Sequence, residues 1–240
     1  VTFVGTSVPE AVAKALKPNT KVVYFETPSN PTMKIIEIER VAREAHNYNT
    51  PDGHRVLVII DNTFSSPIIT RGLDLGADVV VHSMTKYING HTDVVGGVIV
   101  SRDKELIKKI KGNGIKDITG AVLSPHDAFL VSRGLFTLDL RIRKSAENAM
   151  KVAEFLHSHP SVEHVYYPGL ADHPGHDIAE KQMALFGSMI TFELKGGFDA
   201  GLKLLNSIHL MVLAVSLGGC ESLIQHPASM THACVPKDER

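Results

Sequence analysis

Cysteine is scarce: Cys220 and Cys234 are the only two in 240 residues. That is too few for a disulfide scaffold and points to a reducing compartment, here the cytoplasm. An excess of charge of one sign is also lacking, with 25 Lys and Arg against 26 Asp and Glu and a net charge of −1. Such a balance gives no electrostatic case for a nucleic acid or an anionic membrane as partner. No apolar run approaches the ~20 residues that span a bilayer. The start, Val1-Thr2-Phe3, has no charged region leading into an apolar one, so it is not read as a signal peptide. It has no Met either, and the chain ends on the polar Pro236-Lys-Asp-Glu-Arg240, expected to be a loop or a helix start. Both ends read as cuts through a longer protein. No Gly-x-Gly-x-x-Gly follows a strand, and Gly96-Gly97 reads as close backbone packing. Thirteen histidines invite a metal. The best cluster, His173-Pro-Gly-His176, lacks the cysteine or carboxylate spacing of a zinc site and is expected to be solvated loop histidines. No metal is expected.

What is present is an ordinary globular composition, 43% hydrophobic and 21% charged, long enough for one large domain or two smaller ones. Pro9 to Leu16 is expected to be a helix capped by Ser7. Lys21 to Glu26, Val56 to Ile60, Ala77 to Val81 and Val94 to Val100 read as strands. Between them Ile35, Ile38, Val41, Ala42 and Ala45 recur at helical spacing within Ile35 to Tyr48, and Pro67 to Leu75 reads as a turn and short helix. Strands apolar along their length and separated by helices predict an α/β fold, with a mostly parallel sheet sandwiched by helices. Asp103 to Lys111 reads as a wet basic helix, Gly112 to Gly120 as a glycine-rich loop, and Ser124 to Gly134 as a capped helix. Thr137 to His157 is expected to bridge to a smaller α/β unit. Its pieces are strands Val162 to Tyr166 and Met189 to Leu194, helices Asp177 to Leu185 and Asp199 to Ile208, and Leu213 to Ser216. The expected domains are 1–138 and 139–240.

Ligands of such sheets sit beyond the carboxyl ends of the strands. Asn30, Asp61 and the run Ser83-Met-Thr85-Lys86 fall at such ends. A lysine that attacks a carbonyl needs a lowered pKa or an already formed imine. Hydroxyls at Ser83 and Thr85 suit a phosphate. A carboxylate such as Asp61 within ~4–6 Å raises the pKa of a ring nitrogen by about 1–3 units. Singly, each residue also has a plain reading: a solvated lysine, loop hydroxyls, a turn-capping aspartate, a turn-forming asparagine.

Together they carry a resemblance. Glu26-Thr-Pro-Ser-Asn-Pro31, Asp61-Asn-Thr-Phe64, Ser83-Met-Thr-Lys-Tyr-Ile-Asn-Gly-His91, Ser216-Leu-Gly-Gly-Cys-Glu-Ser222 and Pro227-Ala-Ser-Met-Thr-His232 resemble the trans-sulfuration (Cys/Met metabolism) family of fold type I pyridoxal-phosphate enzymes. The resemblance runs over essentially the whole chain. It implies that Lys86 carries pyridoxal 5'-phosphate as a Schiff base and shuttles the proton. It further implies that Asp61 pairs with the pyridine nitrogen, that Ser83 and Thr85 bind the phosphate, and that Asn30 touches the ring oxygen. Thr63 would support this set, and Ser216 would help hold the substrate carboxylate. Gly114-Ile-Lys116-Asp117 through His126-Asp127, with Gln225 to His232, resembles the members that eliminate methanethiol from methionine, and Gly218-Gly-Cys220-Glu221 resembles those of anaerobic protozoa in particular. In these, Lys116 and Asp117 would order the site near the substrate.

The implied substrates are amino acids (methionine, homocysteine, cysteine), and the implied assembly is a homotetramer built as a dimer of dimers. Cystathionine γ-lyase or γ-synthase chemistry is the alternative within the family. A cofactor-free lysine enzyme and a non-catalytic assembly fragment are alternatives of other classes. The family's N-terminal Tyr and Arg, its Gly-Met phosphate amides, its ring-stacking Tyr and its C-terminal Arg have no match here. The 240 residues alone are therefore expected to show negligible γ-elimination.

Overall fold

The computed structural model describes residues 1–5 and 9–234. The expected cap Ser7 and the segment 236–240 lie outside the described residues. The largest sheet is built from β1 (Val22–Glu26), β2 (Leu57–Asp61), β3 (Val79–Ser83) and β4 (Gly97–Val100), in that spatial order. β1, β2 and β3 run parallel, with Glu26 beside Asp61 and Asp61 beside Val81. β4 starts at Gly97 rather than the expected Val94, and it pairs antiparallel with β3, within a sheet that is otherwise parallel. The intervening chain forms the lysine turn and folds straight back, so β4 lies along β3 without crossing over.

Helix α1 (Pro9–Ala15) precedes the sheet, and helix α2 (Ile38–His46) connects β1 to β2. Ile38, Val41, Ala42 and Ala45 are buried, as their spacing predicts. They pack on Phe25, Val56, Val58 and Ile60, each fully buried large aliphatic side chain contributing about 1.5–3 kcal/mol. Ile35 is buried too, but lies in the extended entry to the helix. The strand expected at Ala77 to Val81 is shifted to 79–83, and Asp78 locks its start. Its carboxylate accepts the Val58 amide at 2.7 Å and pairs with His46 at 2.8 Å and Arg55 at 2.7 Å.

Helix α3 is only Ser66–Ile69. Helix α4 (Lys104–Lys109) is capped by Asp103, which accepts the Glu105 and Leu106 amides. The expected loop at 112–120 is instead a π-helical segment, Ile110–Thr119. The wide winding absorbs its two glycines, and Gly120, at φ 60°, ends it by donating to the Ile115 carbonyl at 2.7 Å. Helix α5 (Pro125–Leu135) starts at Ser124, whose hydroxyl accepts the Asp127 amide at 3.0 Å. The long helix α6 (Leu138–Ser158) follows. Beyond it, β5 (Val162–Tyr166) pairs antiparallel with β6 (Thr191–Leu194). Helices α7 (His176–Gln182) and α8 (Gly197–Leu205) accompany them. β7 (Val212–Leu213) pairs with β8 (Leu223–Ile224); β8 was not expected.

The His173 cluster is also corrected. His173 is buried, and its Nε2–H donates to the Met33 carbonyl at 3.0 Å. His176 is half-buried against the Pro168 carbonyl at 2.7 Å. With the Thr191 hydroxyl donating to the Pro31 carbonyl at 2.6 Å and Gln182 bonded to Ile36 and Ile38, the later half of the chain clamps the loop after β1. Among the described residues, no helix is long and apolar enough to cross a membrane.

Candidate active site

The carboxyl ends of β1, β2 and β3 lie side by side, because the three strands are parallel and in register. Asp61 is the last residue of β2 and Ser83 the last of β3. A short hydrogen-bond chain joins them. The Thr63 amide donates to Asp61 Oδ1 at 2.9 Å, and the Ser83 amide donates to Thr63 Oγ1 at 2.8 Å. Thr63 is thus the link between two strand ends, and it leaves the Ser83 hydroxyl without a hydrogen bond among the described residues.

After Ser83 the chain enters a π-helical turn, Met84–Ile88. Its widening shows in the Asn89 amide, which donates to the Met84 carbonyl at 2.9 Å. Lys86 interrupts the winding at φ −92°, ψ −128°. Single π turns of this kind concentrate at functional sites. The kink turns the Lys86 side chain toward Ser216, and Nζ donates to Ser216 Oγ at 2.7 Å across 130 positions of sequence. Ser216 itself sits at φ 110°, a conformation costing about 1–3 kcal/mol for a non-glycine residue. Partial burial lowers the Lys86 pKa from its ordinary value. The Thr85 hydroxyl accepts the Gly96 amide at 3.0 Å and reaches the Gly96 carbonyl at 3.3 Å.

Asn30 is exposed, with its amide N–H donating to Glu26 Oε1 at 2.9 Å. Burial raises the Glu26 pKa, the Asn30 N–H opposes that, and Asp61 across the strand pair adds to it. Lys116 and Asp117 lie on the π-helical segment 110–119, exposed and 3.9 Å apart. Among the described residues neither side chain hydrogen-bonds to the Lys86 cluster. A cleft of about 530 Å³ opens beside Thr85 and Ser216, with Val94, Val212 and Leu223 in its apolar wall and Asp93 and Glu221 as its carboxylates.

A family model described as "Cys/Met metabolism PLP-dependent enzyme" matches residues 1–240. The chain belongs to this family. It is 56% identical over 241 residues to an L-methionine gamma-lyase of Fusobacterium nucleatum subsp. polymorphum, covering all of this chain and 59% of that protein. An L-methionine gamma-lyase of Porphyromonas gingivalis is 54% identical over 240 residues, with the same two coverages. Among solved structures, cystathionine gamma synthase from Xanthomonas oryzae pv. oryzae, in complex with aminoacrylate and cysteine, superposes with a TM-score of 0.90 at 47% identity. That match covers 99% of this chain and 59% of the other. The chain therefore spans about three-fifths of these relatives.

The family's cofactor, pyridoxal 5'-phosphate, needs an amine, an anion for its ring nitrogen and donors for its phosphate. Lys86, Asp61 and the hydroxyls of Ser83 and Thr85 offer this donor set on one sheet edge. Gly218 (φ 86°) packs directly on the lysine turn. A Cβ there would stand 2.5 Å from the Tyr87 amide nitrogen and 2.7 Å from the Lys86 carbonyl carbon. Gly218 and Arg141, which holds the Tyr87 carbonyl at 2.8 Å, were not singled out from sequence. The Gly218-Gly219 pair was a visible signal for the first; nothing in the sequence marked the second.

Proposed function

We propose that the chain carries the cofactor-holding centre of a carbon–sulphur lyase that converts methionine and water into methanethiol, ammonia and 2-oxobutanoate. The observation that carries this reading is the Lys86 amine. It is partly desolvated, bonded to Ser216 at 2.7 Å, and set on the sheet edge that presents the Asp61–Thr63–Ser83 chain. An amine accepts a proton only when neutral, and burial moves lysine in that direction.

In this reading Asp61 pairs with the ring nitrogen, Ser83 and Thr85 donate to the phosphate, and Asn30 donates to the ring oxygen. To reach a phosphate, the Thr85 hydroxyl turns its proton away from the Gly96 carbonyl. Pyridoxal 5'-phosphate supplies the electron sink when bound. Lys86 Nζ takes the proton from the substrate α-carbon, and Ser216 holds the substrate carboxylate beside it. Thr63 keeps Asp61 and Ser83 in mutual position. Lys116 and Asp117 act at the substrate side once their segment is covered. Residues 1–138 form the cofactor-binding unit and 139–240 a smaller one, and copies assemble in the cytoplasm as a homotetramer, a dimer of dimers.

Methionine is favoured because the L-methionine gamma-lyases of Fusobacterium nucleatum subsp. polymorphum and Porphyromonas gingivalis are 56% and 54% identical to the chain. The solved cystathionine gamma synthase at TM-score 0.90 supports cystathionine as a second reading. The test supplies the natural-length protein with pyridoxal 5'-phosphate and either methionine or cystathionine, with Lys86→Ala as control. Lys86-dependent methanethiol from methionine is the expected result. Turnover of cystathionine alone assigns the second reading. No turnover of either, in a protein that still oligomerises, assigns an assembly role and refutes the lyase.

A further inference from the structure

The lysine turn has a backbone problem that its own residues do not solve. A helical turn leaves its last carbonyls without partners. In the turn at 84–88, the Met84 carbonyl takes the Asn89 amide at 2.9 Å and the Lys86 carbonyl takes the Gly90 amide at 2.8 Å. The Tyr87 carbonyl is reached by no backbone N–H among the described residues. Arg141, 54 positions later on α6, takes it instead: Nη1 donates to the Tyr87 carbonyl at 2.8 Å. The same guanidinium donates through Nη2 to the Gly134 carbonyl at 2.8 Å and through Nε to Thr137 Oγ1 at 3.0 Å. One planar fork thereby joins the lysine turn, the end of α5 and the start of α6.

The surroundings are shaped for this fork. Gly90 (φ 73°) lies over it, and a Cβ there would strike the guanidinium. Gly134 lets α5 press against the Asn89 carbonyl, where a Cβ would also collide. Burial lowers the Arg141 pKa. Among the described residues Arg141 forms no ion pair with a carboxylate, and all its hydrogen bonds go to neutral oxygens. A partly buried cation without a counter-ion is a costly way to fill space. What it contributes is three directed bonds that a lysine's point charge does not reproduce.

We propose that Arg141 is a positioning residue for the reaction: by holding the Tyr87 carbonyl it fixes the kinked backbone at Lys86, and so the direction of the Lys86 amine. The kinked Lys86 conformation lies outside the helical basin and needs support from beyond the turn. Gly218 packs on the Lys86–Tyr87 peptide, and Arg141 supplies the anchoring bond at the Tyr87 carbonyl. The inference rests on Lys86 being the cofactor lysine.

The test uses the natural-length protein and four variants: Arg141→Met, Arg141→Lys, Thr137→Val and Lys86→Ala. In cofactor-free Arg141→Met, exchange of the Asn89 and Gly90 amides is expected to speed up roughly 10- to 100-fold, the worth of a lost charged hydrogen bond, while α2 amides keep their rates. In the holoprotein kcat falls by about 10- to 100-fold, as for a reacting group displaced by ~1 Å, with KM nearly unchanged. Arg141→Lys falls between Arg141→Met and wild type. Thr137→Val, which removes the Nε partner together with the long 3.4 Å bond from the Thr137 hydroxyl to the Gly134 carbonyl, moves both readouts the same way by a smaller factor, and decides the matter if Arg141→Met does not fold. Wild-type exchange and kcat in the deciding variant overturn the proposal. Equal acceleration at α2 also overturns it, since that marks general destabilisation. Lys86→Ala separates the two readings. If the visible absorbance of lysine-bound cofactor survives it, the assignment of Lys86 fails. If that band is lost while the Arg141 variants behave as wild type, only the Arg141 role fails.

Discussion

Gly218→Ala probes the contact on which the lysine turn rests. At φ 86° an alanine meets backbone strain of about 1–2 kcal/mol. Its Cβ would also sit 2.5 Å from the Tyr87 nitrogen, where ordinary contact begins near 3.4 Å. The atoms it meets are backbone, so no side chain can swing aside and the turn itself must shift by about 1 Å. Overpacking of this kind adds about 1–3 kcal/mol, giving roughly 2–5 kcal/mol in all. Gly53→Ala is the matched control, because Gly53 has φ 72° and nothing within 4 Å of a Cβ. It carries the strain without the collision. Urea denaturation of both variants isolates the collision as the difference between them. A shift of ~1 Å at Lys86 also lowers kcat by about 100-fold, which Gly53→Ala leaves untouched. Equal destabilisation by the two substitutions, with wild-type kcat in Gly218→Ala, would refute the close packing of Gly218 on the lysine turn.

Two further outcomes are expected. Thr63→Val strands the part-buried Ser83 amide and should cost about 1–3 kcal/mol in urea denaturation, with Thr63→Ser restoring most of it; a neutral Thr63→Val removes the strand-end link from the account. Burial lowers the His173 pKa below the ordinary 6.5, and its bond to the Met33 carbonyl opposes that only in part. The unfolded chain therefore takes up a proton near pH ~6.5 before the folded chain does, so stability falls as pH drops through that value until His173 protonates in place. His173→Gln should flatten this loss in melts between about pH 7 and 5, leaving the share that His82, also lowered by burial, contributes. An unchanged pH profile would count against the clamp.

The sheet was legible because its strands are continuous apolar runs, and α2 because Ile38, Val41, Ala42 and Ala45 repeat at helical spacing. Strand limits moved by two residues at β3, since a charged residue, Asp78, completes the packing where the apolar run starts. The glycine-rich stretch at 112–120 misled because glycine content carries no sign of π winding, which is set by the segment's hydrogen bonding. His173 misled for a related reason. Next to Pro and Gly it resembles a surface turn, and its burial depends on Met33, 140 positions away.

The same distinction runs through the candidate site. Lys86, Ser83 and Thr85 stand in one motif, so local reading finds them together. Their geometry is set from afar: Ser216 meets Lys86 across 130 positions and Arg141 meets Tyr87 across 54. Both distant partners act on groups whose need is invisible in sequence, a lone ammonium and a leftover carbonyl. An amine on a flexible four-carbon stem has many rotamers. A kinked turn fixed at its carbonyl, walled by a glycine and tied at Nζ by a strained serine leaves it few. The later half of the chain therefore does more than cover the sheet. It supplies the restraints that turn a lysine at a strand end into one with a single direction.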